Sequence, residues 1–113
     1  MFADMTNIII RKNKDGEILG FKLEGHAGSG EYGKDIVCAA ISMLSINTVN
    51  SLEKFTDDNF TCDADPVKGL IDVKSSEGFS ENGELLLKSF ELGIMGVYKQ
   101  YGNEFLNIKF EEV

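Results

Sequence analysis

The sequence holds one histidine, His26, and two cysteines, Cys38 and Cys62. Of these, His26 and Cys38 lie close enough in sequence to cooperate. The stretch Gly25-His26-Ala27-Gly28-Ser29-Gly30-Glu31-Tyr32-Gly33-Lys34 is glycine-rich and without periodicity, which reads as a loop. A helical pattern begins just after it. If Asp35 caps that helix, Ile36, Val37 and Cys38 are its first residues, and the sulfur lies beside amides that have no intrahelical partner. The positive end of the helix favours a thiolate, the form in which cysteine acts as a nucleophile. A histidine in the adjoining loop can take the thiol proton and later return one to a leaving amine. Amides at the helix start, that of Cys38 included, can hold an oxyanion.

Blander readings stand beside each of these. A cytosolic cysteine is often a small buried hydrophobe. Ser42, one turn after Cys38, can donate toward the sulfur or bond back to its own helix. Asp35 can cap the helix, orient His26, or do both. The segment Gly28, Ser29, Gly30, Glu31, Tyr32, Gly33 is a solvated loop or a mobile lid over a nucleophile. Gly28 to Lys34 fits part of a phosphate-binding loop, but Asp35 stands where a magnesium-binding Ser or Thr belongs, and a carboxylate repels a triphosphate. No metal is expected, because His26, Cys38 and Cys62 lack paired ligand spacing. The acidic run from Asp57 to Asp65 lacks the glycine and final glutamate of a calcium loop. No cofactor is implied.

The elements that position these residues follow from pattern. Met5 to Lys12 is isoleucine-rich and suits a strand. Asn13-Lys14-Asp15-Gly16 supplies a tight hairpin turn, and Ile18 to Leu23 returns as a second strand. From Ile36 to Phe55 apolar residues recur at helical spacing along one face. Phe60 to Cys62 and Leu70 to Val73 read as strands joined by the turn Asp63-Ala64-Asp65-Pro66. A second helix spans Asn82 to Tyr101, and Ile108 to Phe110 closes the sheet. The order strand, strand, helix, strand, strand, helix, strand implies an α+β sandwich, two helices against a mostly antiparallel sheet, in one domain over residues 1–113. The second helix is apolar on more than one side, which predicts cover on two sides. Gly93 and Gly96 suggest close approach of another backbone or a subunit, and so a homodimer.

Charge narrows the partners. Net charge is −8, the wrong sign for a protein that neutralises phosphates, so no direct nucleic-acid binding is expected. No run of about 18 apolar residues is read in the chain and the N-terminal stretch is wrong for a secretory signal, so no membrane association is expected. Two cysteines make no disulfide framework, and a reducing, cytoplasmic setting is the default.

The pieces Gly25-His26-Ala27-Gly28 and Gly33-Lys34-Asp35-Ile36-Val37-Cys38-Ala39-Ala40-Ile41-Ser42 resemble the signature of the ribosomal-processing cysteine proteases, the Prp family. The resemblance extends to chain length and element order. It implies a cysteine endopeptidase that removes an N-terminal extension from a large-subunit ribosomal protein, at a short hydrophobic motif containing Leu, Gln and paired Phe. It maps the nucleophile onto Cys38 and the catalytic histidine onto His26, with further motif positions at Gly25, Asp35 and Ser42. It also implies a homodimer with a mobile loop over the active site. Two other functions compete: a non-catalytic ribosome-assembly binding protein with a structural Cys38, and a thiol redox protein with Cys62 as resolving thiol. Acids around Cys62 would raise its pKa, which speaks against the second.

Overall fold

The computed structural model describes residues 6–25, 32–101 and 105–113, with side chains of the first helix from Ile36 onward. Strand β1, Thr6–Lys12, carries the β-branched run Ile8-Ile9-Ile10, which suits a pleated surface. Its alternation buries Thr6, Ile8 and Ile10 and turns Asn7 outward. Strand β2, Ile18–Glu24, pairs with it antiparallel. The expected hairpin closes through a three-residue loop rather than the tightest two-residue form. The Asn13 amide donates to the Glu17 carbonyl at 2.9 Å, and Asn13 Oδ1 accepts from the Asp15 and Glu17 amides at 3.0 Å each.

The remaining elements are α1 (Tyr32–Phe55), β3 (Thr61–Asp65), β4 (Leu70–Lys74), α2 (Glu81–Tyr101) and β5 (Leu106–Glu112), in the order the sequence implies. The sheet runs β3-β4-β2-β1-β5, antiparallel throughout except for β1 with β5. These pairings make β2 parallel in direction to β3, and β4 parallel to β5. Each helix is therefore the long crossover that such a return requires. Ile8, Ile10, Phe21, Leu23, Val73 and Leu106 from the sheet meet Val37, Ile41 and Leu52 of α1 and Leu87, Phe90 and Ile94 of α2 in one core. Phe21 stacks on Phe90 with ring centroids 4.1 Å apart, and burying such a side chain contributes about 1.5–3 kcal/mol.

The structure refines three expectations. Asp63, Ala64 and Asp65 extend β3, and the turn falls at Pro66–Gly69. Proline cannot donate to a ladder, Asp65 Oδ1 accepts from the Val67 and Lys68 amides, and Gly69 supplies a φ of 63°. Secondly, α2 is covered within the chain on one stripe only: Leu87, Phe90 and Ile94 are buried, whereas Leu85 and Leu92 are exposed. The close approach at Gly93 is made by Leu44 of α1, which a Cβ there would crowd, while Gly96 faces open space. Thirdly, the segment Ile36–Phe55 of α1 is long and apolar enough, by length and composition, to cross a membrane. Within that segment Val37, Ile41 and Leu52 face the core with no exposed surface, whereas Met43, Ile46 and Phe55 are exposed.

Candidate active site

The helix that carries Cys38 starts earlier than its sequence suggests. It begins at Tyr32, so Asp35 is not its N-cap, and Tyr32 and Gly33 are helical rather than part of a loop. Nothing in Tyr32-Gly33-Lys34-Asp35 forbids a helix: there is no proline, and Gly33 alone costs about 1 kcal/mol. Asp35 instead falls in the first turn of the helix. Cys38 is consequently in the second turn. Its amide is not one of the unpaired donors at the helix start, which now fall at Tyr32 to Lys34. The expectation that the Cys38 amide holds an oxyanion is overturned.

What surrounds the sulfur is set by the sheet. Cys38 is buried, with 7% of its surface exposed. Its Sγ lies 3.1 Å from Thr6 Oγ1, at the first residue of β1. Thr6 is itself fixed, because its amide donates to the Phe105 carbonyl at 3.1 Å and it pairs in register with Leu106. The neighbouring pair is Asn7 with Glu24, so β2 ends beside Thr6 and the chain leaves the sheet there through Gly25. Gly25 directly precedes His26 in sequence. His26, Gly28, Ser29, Gly30 and Glu31 lie outside the described residues, as does the side chain of Asp35.

A groove of about 480 Å³ opens beside this point. Its walls are Leu23 and Gly25 of the β2 end, Ser42 and Ile46 of α1, and Pro66, Val67 and Leu70 around the β3–β4 turn. Ser42 thus lines the groove one turn beyond Cys38, and Thr6 places a hydroxyl at the sulfur. The surface is largely apolar, with Ile46 and Val67 exposed at the rim. Gly69 abuts Gly25 backbone to backbone, and a Cβ there would run into the Gly25 carbonyl.

Sequence reasoning missed Thr6, Ile46, Val67 and Gly69. A signal existed for Gly69, since Asp65-Pro66-Val67-Lys68-Gly69 has the proline and late glycine of a turn. None existed for Thr6, which is distant in sequence and meets Cys38 only through strand register. Both cysteines are thiols. Burial pushes the Cys62 thiol up from its ordinary value, and the negative charges of Glu53, Asp63 and Asp72 add to this. Among the described residues no cluster of three or more His, Cys, Asp or Glu is arranged to hold a metal ion.

This arrangement has known counterparts. The family model of the cysteine protease Prp matches residues 5–106. The ribosomal processing cysteine protease Prp of Staphylococcus aureus is 26% identical over 107 residues, spanning 95% of this chain and all of that protein. Its Bacillus subtilis namesake is 38% identical over 48 residues, 42% of this chain and 43% of the other. The crystal structure of the S. aureus enzyme in complex with a substrate peptide superposes with a TM-score of 0.87 at 25% identity, over 95% of this chain and all of that one. A Streptococcus mutans protein structure matches with a TM-score of 0.84 at 35% identity, over 96% of this chain and 99% of that one. The thiol at the sheet end, the element order and these matches together make the chain a member of the Prp cysteine protease family.

Proposed function

We propose that this protease is a ribosomal-processing endopeptidase in which Cys38 is the nucleophile and His26 its general base. The observation that carries the reading is the position of Cys38 Sγ. It is held against the end of β1, where β2 runs out through Gly25 towards His26, with an apolar groove alongside. The substrate is the precursor of a large-subunit ribosomal protein, cut at a hydrophobic motif containing Leu, Gln and paired Phe. Three features support that choice: the S. aureus relatives are named for ribosomal processing, the groove is apolar, and the net charge of −8 attracts a basic partner. The enzyme works in the cytoplasm, as a single-domain subunit of a homodimer, without a cofactor and without binding nucleic acid directly.

The steps follow from the groups named. His26 takes the proton of Cys38, and the thiolate attacks the scissile carbonyl to give a tetrahedral oxyanion. Of the amides at the helix start, those of Tyr32 to Lys34 are left to hold that oxyanion, in place of the Cys38 amide. Collapse expels the amine, which receives the proton from His26, and leaves a thioester. Water, deprotonated by His26, then releases the product and restores the thiol.

The test is cleavage of a peptide carrying the Leu/Gln/Phe-Phe motif by wild type, Cys38→Ala and His26→Ala. Wild type should cut, and each folded variant should lose activity about a thousandfold or more, as when a member of a catalytic set is removed. An active Cys38→Ala enzyme, or a wild type inert on both the peptide and the extended ribosomal protein, would sink the assignment.

A further inference from the structure

A buried hydroxyl in a core costs stability unless it is hydrogen-bonded. Thr6 is 3% exposed, and the partner that the described structure gives its hydroxyl is the sulfur of Cys38, 3.1 Å away. Its other anchors are backbone: the amide bond to Phe105 and the register with Leu106. Its neighbours on the inward face of β1, Ile8 and Ile10, are purely apolar. A valine would fill the same β-branched shape at this strand start without a polar atom to satisfy. The hydroxyl therefore needs a reason other than packing.

We propose that Thr6 is a positioning residue of the proteolytic reaction, its hydroxyl holding Cys38 Sγ at the end of β1 in both protonation states. The inference rests on Cys38 being the nucleophile. In the resting thiol the S–H can donate to Thr6 Oγ1, and once the proton has gone to His26 the hydroxyl can turn and donate to the thiolate. A hydroxyl can serve both roles because it both donates and accepts. Thr6 gives up no proton at any step. When the carbon–sulfur bond forms, the charge moves to the substrate oxygen and the threonine keeps its hydrogen. The β-branched side chain has few χ1 choices and its backbone is tied on both sides, so the oxygen is aimed before substrate arrives.

The experiment compares Thr6→Val, Thr6→Ser and Thr6→Ala in a Cys62→Ser background, reading kcat and KM on the motif peptide and the alkylation rate of Cys38 by iodoacetamide. Thr6→Val should keep or raise the melting temperature, yet lower kcat and alkylation about tenfold with KM within about twofold, the worth of a hydrogen bond to a charged group. Thr6→Ser should return both rates to within about threefold of the parent. A Thr6→Val enzyme that melts normally with kcat and alkylation unchanged overturns the proposal. If that variant does not fold, Thr6→Ala and Thr6→Ser decide the matter, and equal activities in the two overturn it. Cys38→Ala in the same background separates the two readings. Its continued activity brings down the assignment of Cys38 and this role with it, whereas its inactivity beside an unaffected Thr6→Val removes only the role of Thr6.

Discussion

Gly69 and Gly25 meet backbone to backbone where β2 and β4 run out of the sheet, leaving no room for a side chain at position 69. Gly69 also has φ 63°, in the left-handed region that favours glycine. The contact ties the β3–β4 turn, one wall of the groove, to the residue that precedes His26.

Alanine at position 69 should therefore cost more than its backbone strain. Gly16 is a matched control, with φ 85° and nothing within 4 Å of where its Cβ would be. Gly16→Ala should lose about 1 kcal/mol of stability and keep its turnover. Gly69→Ala should lose more stability than that and lose peptide cleavage as well. Equal effects of the two substitutions on kcat/KM would show that the Gly25 contact has no bearing on the site.

Ile46 of α1 and Val67 of the β3–β4 turn both line the groove. Neither is needed for the core, Val67 being 86% exposed. Val67→Asp and Ile46→Asp should fold, and each should raise KM for the hydrophobic motif peptide about tenfold or more, since a charge would have to be desolvated against an apolar side chain. Val113→Asp, equally apolar and exposed on β5's side of the molecule, should leave KM unchanged. Steady-state kinetics of the three variants decide it.

The architecture was legible because each layer repeats one instruction. The Ile8-Ile9-Ile10 run, the helical spacing from Val37 to Leu52 and the Asn13–Gly16 turn all agree with the sheet they build. The element order and the mostly antiparallel sheet followed from them. The errors sit at boundaries. Asp35 looks like a cap because a capping residue and a first-turn acid are the same residue type, and sequence alone cannot say which turn it occupies. Asp63 to Asp65 looks like a turn because acids are poor strand formers, yet their exposed edge strand tolerates them. The groove and the Thr6 contact were hidden for another reason: both arise where residues distant in sequence are joined by register and crossover.

Cys62 should be a slow thiol. Only the thiolate reacts with an alkylating agent, and desolvation, then Glu53, Asp63 and Asp72, push its pKa above that of an ordinary cysteine. The thiolate fraction at neutral pH is thus below that of a free cysteine, and should keep growing into the alkaline range. In a Cys38→Ala background, iodoacetamide labelling should be slower than for a model cysteine peptide at neutral pH and approach it only as pH rises. Cys62→Ser should leave peptide cleavage unchanged, because the proposed reaction uses the Cys38 thiol and forms no disulfide.

Glu84 joins α2 to β2 by accepting the Ile18 amide at 2.9 Å. Burial raises its pKa, the hydrogen bond from Ile18 opposes the rise, Glu17 adds to it, Lys88 opposes it in turn, and Asp58 adds a last small push. A carboxyl with a raised folded pKa binds its proton more tightly in the native state. Its effect on stability is most favourable at low pH, and is lost as pH rises from the unfolded value through the folded one. Glu84→Gln keeps an acceptor for Ile18 and removes the titration. The melting temperature of wild type relative to Glu84→Gln should fall as pH climbs through the carboxylate range and be flat above it. A gap that widens in favour of wild type over that interval contradicts the assignment.

Leu85 and Leu92 lie seven residues apart on one stripe of α2, 66% and 76% exposed, and Met95 continues the stripe at 38%. Single exposed leucines are ordinary, but an aligned row on a helix whose opposite face is already buried in the core is a surface suited to a partner. If that partner is a second copy of the chain, sedimentation of wild type at micromolar concentration should give twice the 12.5 kDa chain mass. Leu92→Glu combined with Leu85→Glu should give a folded monomer, because neither side chain contributes to the core and two carboxylates would be buried unpaired in the contact. A double variant that still sediments as a dimer places the contact elsewhere, and a wild type that sediments as a monomer leaves the stripe to a different protein.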